Sequence, residues 1–292
     1  MRSILKLVTL FGAVLISNIA AIGAVMAQSI GQSRPWQVGL PEAASPIMER
    51  ILWFHNEFLL IIITVITLFV TALLVYCMIR FNARSNPTPS KTSHNTLIEV
   101  AWTVIPILIL VAVAIPSFKL LYFDRIIPKV DMTIKATGNQ WYWTFEYQDD
   151  ETKGIEFDAI MLEDDELKPG QPRLLAVDNN IVVPVNKVVR LVVTASDVIH
   201  AFAMPAFGVK IDAIPGRLNE AWFKATKTGT FYGQCSELCG IRHAFMPLAI
   251  KVVSEEEYKK WVVKAKEEFA GLPVNPKKID LAMTKANAIS AN

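Results

Sequence analysis

Residues 232–247 read YGQCSELCGIRHAFMP. Two of the chain's three cysteines, one of its four histidines and a methionine fall inside this stretch. It lies between GTFYGQ (229–234) and PLAIKVV (247–253), whose β-branched and aromatic content marks them as strands. The cluster therefore sits on a loop joining two strands. Three chemistries compete for it. A disulfide is the simplest use of two nearby cysteines in an oxidising compartment. It has no need of His243, four residues after Cys239, or of Met246, three further on. Zinc could take Cys235, Cys239, His243 and a distant histidine such as His200 in a tetrahedral S₂N₂ set, but it too has no use for Met246. Single-copper sites on β-sandwiches combine two histidines, one cysteine and a weak axial methionine. His200, just after the strand-like VVRLVVTAS (188–196), supplies the upstream histidine of that layout. One cysteine is then left over. Two thiolates can bridge two copper ions, each with one terminal histidine, Met246 capping one and a backbone carbonyl between the cysteines, with Glu237 the natural candidate, capping the other.

Outward from this loop, residues 130–253 read as short β-rich runs: MTIKATG, QWYWTFEYQ, RLLAVD, KVVRLVVTA, EAWFKA, GTFYGQ and PLAIKVV. Glycine and proline punctuate them at Pro169-Gly170 and Pro215-Gly216, a pattern that predicts an antiparallel sandwich or small barrel. After Val253 the period turns helical. Ser254 and Glu257 have the spacing of a capping box, and EEEYKKWVVKAKEEFA continues as an amphipathic helix.

The N-terminal part is different. Hydrophobic residues make up 52% of the chain, and the excess lies before residue 125. Arg2 and Lys6, an apolar run over 7–25 and Val25-Met-Ala27 have the order of a secretory leader cleaved after residue 27. Residues 28–57 are a polar segment ending in IMERILWFH (47–55), an amphipathic piece expected at the membrane surface. Phe58–Ile79 and Val100–Leu121 are each long enough to cross a hydrocarbon core of about 30 Å. The loop between them, RFNARSNPTPSKTSHN (80–95), has three basic residues and no acid. Such loops stay in the cytoplasm, so everything before the first span and after the second lies outside. The divisions read as 1–27 leader, 28–57 outer segment, 58–122 transmembrane hairpin, 123–253 β domain, and 254–292 helix and tail.

Lys+Arg 29 against Asp+Glu 27 is close to neutral, which argues against a nucleic-acid partner. Locally, Glu146–Glu166 holds ten acids and one lysine. Glu146, Asp149, Asp150, Glu151, Asp178 and Asp197 form a candidate acidic face that would steer a basic partner. Trp141 precedes the aromatic run of QWYWTFEY, whose alternation puts it on one face with Trp143, Phe145 and Tyr147. Glu99 begins the second span, where an acid complements the helix dipole or marks a proton path. Cys77 reads as a packing cysteine.

Taken with DVIHAFAMPAFGVKIDAIPGRLN (197–219), GNQWYWTFEY (138–147) and LIEVAWTVIP (97–106), the opening stretch resembles subunit II of haem-copper cytochrome c oxidases of the bacterial aa3 type. The resemblance covers roughly residues 53–261. It implies a two-helix transmembrane hairpin, an all-β cupredoxin-like sandwich and a C-terminal helix. It also implies a binuclear copper A centre ligated by His200, Cys235, the Glu237 carbonyl, Cys239, His243 and Met246. Arg242 departs from the family pattern, which has a small or polar residue there. Further implications are electron transfer from cytochrome c through Trp141 to copper and on to haem a in subunit I, and proton pumping with oxygen reduction in that subunit. The Glu237 carboxylate would join a magnesium site shared with subunit I, Glu99 would stand at the mouth of a proton channel, and subunit III would be a further partner. The haems belong to the partner subunit, and the β domain would lie in the periplasm above a bacterial inner membrane. A membrane-tethered copper-binding or assembly protein is the alternative; it would not need the acidic face, Glu99 or a closed ligand set.

Overall fold

The computed structural model describes residues 31–269. The expected leader and the tail past residue 269 lie outside the described residues. A helical rod opens the described chain: α1 (Pro46–Trp53), a π-helical turn (Phe54–Leu59) and α2 (Leu60–Arg80) run without interruption. Ser45 caps α1, its hydroxyl accepting the Met48 N–H, and Pro46 stands in the first turn, where a missing N–H leaves nothing unpaired. The returning helix α3 (Thr96–Arg125) is capped by Asn95 and carries Pro106 and Pro116 within it. Both helices are long and apolar enough to span a bilayer.

Part of the apolar face of α1 packs against the β domain. Ile47 and Met48 are buried, seated where Gly208 leaves room for them. The Ser45 hydroxyl donates to the Phe207 carbonyl at 2.6 Å, and backbone bonds join Ala44 to Ala206 and Thr226. On the returning helix, beside α1, Trp222 Nε1 donates to the Asp124 carbonyl at 2.9 Å, and the Arg50 guanidinium of α1 lies 3.4 Å from the centre of the Phe123 ring. Both spans are therefore tied to the β domain.

That domain is a two-sheet sandwich of ten strands. One sheet has the order β3 (Glu156–Ala159), β2 (Tyr142–Tyr147), β1 (Met132–Asn139), β5 (Val188–Ala195), β8 (Asn219–Lys224). The other runs β4 (Ile181–Pro184), β10 (Pro247–Val253), β9 (Gly229–Cys235), β6 (His200–Met204), β7 (Val209–Ala213). Most pairs are antiparallel, but β1–β5 and β10–β4 are parallel, so the sheets are mixed rather than antiparallel throughout. In β2 the alternation works as its sequence promises, with Trp143, Phe145 and Tyr147 fully buried. Each such side chain contributes about 1.5–3 kcal/mol of burial. The Tyr147 hydroxyl exchanges hydrogen bonds with both backbone groups of Val182, stitching the first sheet to β4 of the second.

RLLAVD (173–178) does not form the expected strand. Pro172 starts a turn closed by the Ala176 N–H, Leu174 adopts a positive φ of 64°, and only Val177 makes an isolated bridge, to Met161. The last helix, α4 (Glu255–Phe269), begins with the capping box intact: Glu257 N–H donates to Ser254 Oγ, and Ser254 N–H to the Glu257 carboxylate.

Candidate metal centre

The loop between β9 and β10 bends back so that its donors meet His200, the first residue of β6. β6 pairs with β9 through Phe202 and Cys235, which fixes how the histidine and the first cysteine face each other. Cys235 Sγ and Cys239 Sγ are 3.8 Å apart, well beyond the S–S bond length of about 2.05 Å, and both are free thiols. His200 Nδ1 lies 3.9 Å from Cys235 Sγ, and the Glu237 carbonyl accepts from that thiol at 3.3 Å. On the second thiol the pattern repeats: His243 Nδ1 is 3.6 Å and Met246 Sδ 3.5 Å from Cys239 Sγ. Each sulfur thus has one imidazole and one weak donor beside it. His200, Cys235 and Cys239 can share one metal ion, their donor atoms all lying within 4.8 Å of one another. The pairing of donors suits two soft ions bridged by the thiolates, and His200, Cys235, Cys239 and Met246 are all buried.

The electrostatics fit metal binding. Burial alone would push the Cys235 thiol up, but hydrogen bonding with His200 and with the Ala201 and Glu237 backbones brings it down to about 6. Burial and the adjacent Cys235 sulfur push Cys239 up to about 12. The two sulfurs are thus driven apart in acidity, Cys235 the more acidic, and a bound cation favours loss of the thiol protons. Burial disfavours charge on His200 as well, yet its bonds to Cys235 and Asp197 leave the imidazole more basic than usual.

Several residues without an assigned metal role complete the centre. Asp197, placed among the docking acids by sequence, holds His200 Nε2 at 2.9 Å and accepts the Gln140 N–H at 2.7 Å. A ligating histidine is commonly oriented in this way, its second nitrogen bound to a carboxylate. Gln140 Nε2 and Trp141 Nε1 both donate to the Cys239 carbonyl, at 2.8 and 3.2 Å. Trp141 is partly exposed and stands ahead of β2 rather than on its buried face. Trp143 Nε1 donates to the Met246 carbonyl at 3.2 Å and its ring meets His200 edge-on. Two glycines make room: a Cβ on Gly138 would sit 2.9 Å from the His200 ring, and one on Gly240, where φ is +122°, 2.9 Å from the Trp141 indole. A glycine inside a strand signals close backbone approach, and Gly138 carries that signal in the sequence.

The remaining candidates are dispersed. Glu146 pairs with Lys135 at 3.1 Å, Asp149 accepts the Thr133 N–H, and Asp178 accepts the Ile160 N–H. Asp150 and Glu151 are exposed in the turn between β2 and β3. Glu99, at the far end of α3, accepts the Asn95 N–H at 3.2 Å, a capping contact. The Glu237 side chain is exposed.

Residues 132–253 match the family described as cytochrome c oxidase subunit II, periplasmic domain, and residues 33–120 match its transmembrane domain. A probable cytochrome c oxidase subunit 2 of Rickettsia bellii is 54% identical over 257 residues, covering 88% of this chain and 91% of that one. The chain belongs to the cytochrome c oxidase subunit II family. The subunit 2 of Cereibacter sphaeroides is 44% identical over 269 residues, with 85% of this chain and 88% of that one covered. A crystal structure of the periplasmic domain of subunit II of cytochrome oxidase from Bradyrhizobium japonicum is 66% identical and covers 50% of this chain and all of that one, with a TM-score of 0.46. Membership in the subunit II family makes the chain part of a membrane oxidoreductase complex and accounts for both the apolar hairpin and the sandwich.

Proposed function

We propose that the chain is the electron-accepting subunit of a bacterial cytochrome c oxidase, taking electrons from reduced cytochrome c and delivering them to haem a in subunit I, where oxygen is reduced to water and protons are pumped. The observation that carries this reading is the doubled donor pattern, with one imidazole and one weak donor beside each of two unbonded cysteine sulfurs. His200, Cys235, the Glu237 carbonyl, Cys239, His243 and Met246 would hold a binuclear copper centre. Such a centre supplies one-electron chemistry with the charge change shared over two ions. The sulfurs and His200 are buried away from water, and Asp197 fixes the imidazole. Trp141 reaches from the surface to the Cys239 carbonyl, so it is the residue through which electrons would arrive.

By the family resemblance, Glu146, Asp149, Asp150, Glu151, Asp178 and Asp197 would steer the basic face of cytochrome c. The exposed Glu237 carboxylate is free to join a magnesium ion at the boundary with subunit I. Glu99, on the cytoplasmic side of α3, would stand at a proton-channel mouth. The reading places the sandwich in the periplasm, the hairpin in the inner membrane beside subunits I and III, a cleaved leader at 1–27, and all haem in the partner subunit. The division 28–57, 58–122, 123–253 and 254–292 belongs to the same reading.

The test is to load the full-length chain in detergent with copper and measure metal content and EPR. Two coppers per chain with hyperfine coupling shared over both nuclei are expected. One copper, or a preference for zinc, would remove the reading.

A further inference from the structure

Arg242 begins the short 3₁₀ turn that carries His243, its carbonyl accepting the Phe245 N–H at 2.8 Å. Its side chain is not free in solvent. Only 15% of it is exposed; the guanidinium stands 5.8 Å from the centre of the Phe245 ring, and Nη2 lies 3.7 Å from a Glu163 carboxylate oxygen. Glu163 is held from its own side. Leu162 N–H donates to the Ala176 carbonyl, the Glu163 N–H donates to the Glu166 carboxylate at 2.9 Å, and the Glu166 N–H returns a bond to the Glu163 carbonyl. Neighbouring Asp164 is engaged by Arg173. The contact therefore joins two fixed backbones, one of them the loop bearing His243, Met246 and both thiols.

Charge so placed acts on whatever the loop holds. Reduction adds negative charge to a metal centre, so a nearby cation favours the reduced form and a nearby anion the oxidised form. Fields from partly buried groups are screened by salt far less than those of exposed ones. We propose that Arg242 and Glu163 are a charge pair that sets the reduction potential of the metal centre, Arg242 raising it and Glu163 lowering it. The inference rests on the copper centre proposed above and adds to it two charged residues that touch no metal.

The experiment measures the midpoint potential of the copper-loaded full-length chain by spectroelectrochemistry, with EPR alongside, for the wild type, Arg242→Gln, Glu163→Gln and the double variant. Arg242→Gln should lower the potential, Glu163→Gln should raise it, and the double variant should fall between them, all with the wild-type hyperfine pattern. Arg242→Lys should stay near the wild type because the charge is kept. Loss of packing alone would move both single variants the same way, and that result, or no movement in either, overturns the pair. If Arg242→Gln does not take up copper, Glu163→Gln decides: a higher potential upholds the proposal and an unchanged or lower one ends it. A wild-type chain that binds no copper pair overturns the centre and the tuning pair together. Failure of the tuning pair alone leaves copper binding intact.

Discussion

Gly138 shows how much of the centre depends on residues that bind nothing. Its missing side chain is the space in which the His200 ring sits, 2.9 Å from where a Cβ would be. Gly138→Ala must therefore push back either β1 or the imidazole. Overpacking of this kind typically costs about 1–3 kcal/mol. The expected outcome is a folded chain of lowered melting temperature that takes up less than two coppers, checked by thermal unfolding and metal analysis; full uptake at unchanged stability would disprove the steric argument. The donor residues themselves are legible from one short stretch, because Cys, His and Met have few other reasons to gather. Their supports are not. Gln140 meets the Cys239 carbonyl across 99 residues, and Asp197 meets Gln140 across 57. An acid three residues before a histidine reads as surface charge until the fold aims it at the ring.

Among the elements, the strands of six residues or more were readable and the shorter ones, β3, β4, β6 and β7, were not. β2 announces itself by alternation, whereas β4 and β6 are buried at every position and show no period. RLLAVD had the right composition for a strand, but the turn begun at Pro172 removes it from the sheet. Helix α4 was legible down to its cap, since the Ser254–Glu257 pair needs only local spacing. Ser254→Ala should cost roughly 1 kcal/mol of helix stability. The bonds from the Ser254 backbone and hydroxyl hold Glu257 below the ordinary glutamate range. A carboxylate with a depressed value stabilises the fold fully above its unfolded pKa and loses that contribution as pH falls through the folded one. The difference in α4 protection between Ser254→Ala and wild type should thus be full at pH 7 and shrink below about pH 4, where glutamate protonates. Hydrogen exchange of α4 amides across that range reads it directly, and a difference independent of pH would rule out the reciprocal cap.

For the whole molecule, charge and rigidity decide what a partner meets. Asp150 and Glu151 are exposed in the turn between β2 and β3, while Glu146, Asp149, Asp178 and Asp197 have partners within the domain. Neutralising Asp150→Asn with Glu151→Gln should slow association with reduced cytochrome c several-fold at low salt, on the order expected for electrostatic steering, with the gap closing as salt rises. Stopped-flow rates as a function of ionic strength measure this, and an unchanged rate takes these two acids out of the docking face. The same domain grips both arms of the hairpin, through Ser45 ahead of α1 and the Asp124 carbonyl on α3. Between the first grip and the long apolar helix lies the π-helical turn Phe54–Leu59. Such a turn stores one surplus residue in the winding of the rod. Deleting one residue there should let the segment relax to plain α-helix with the angular phase of α2 preserved. Deleting one within Leu60–Arg80 instead swings everything beyond it by about 100° around the axis. The rod therefore has one place where its length can change without turning its lateral surface away from its neighbours, and assembly of paired deletion variants would reveal it.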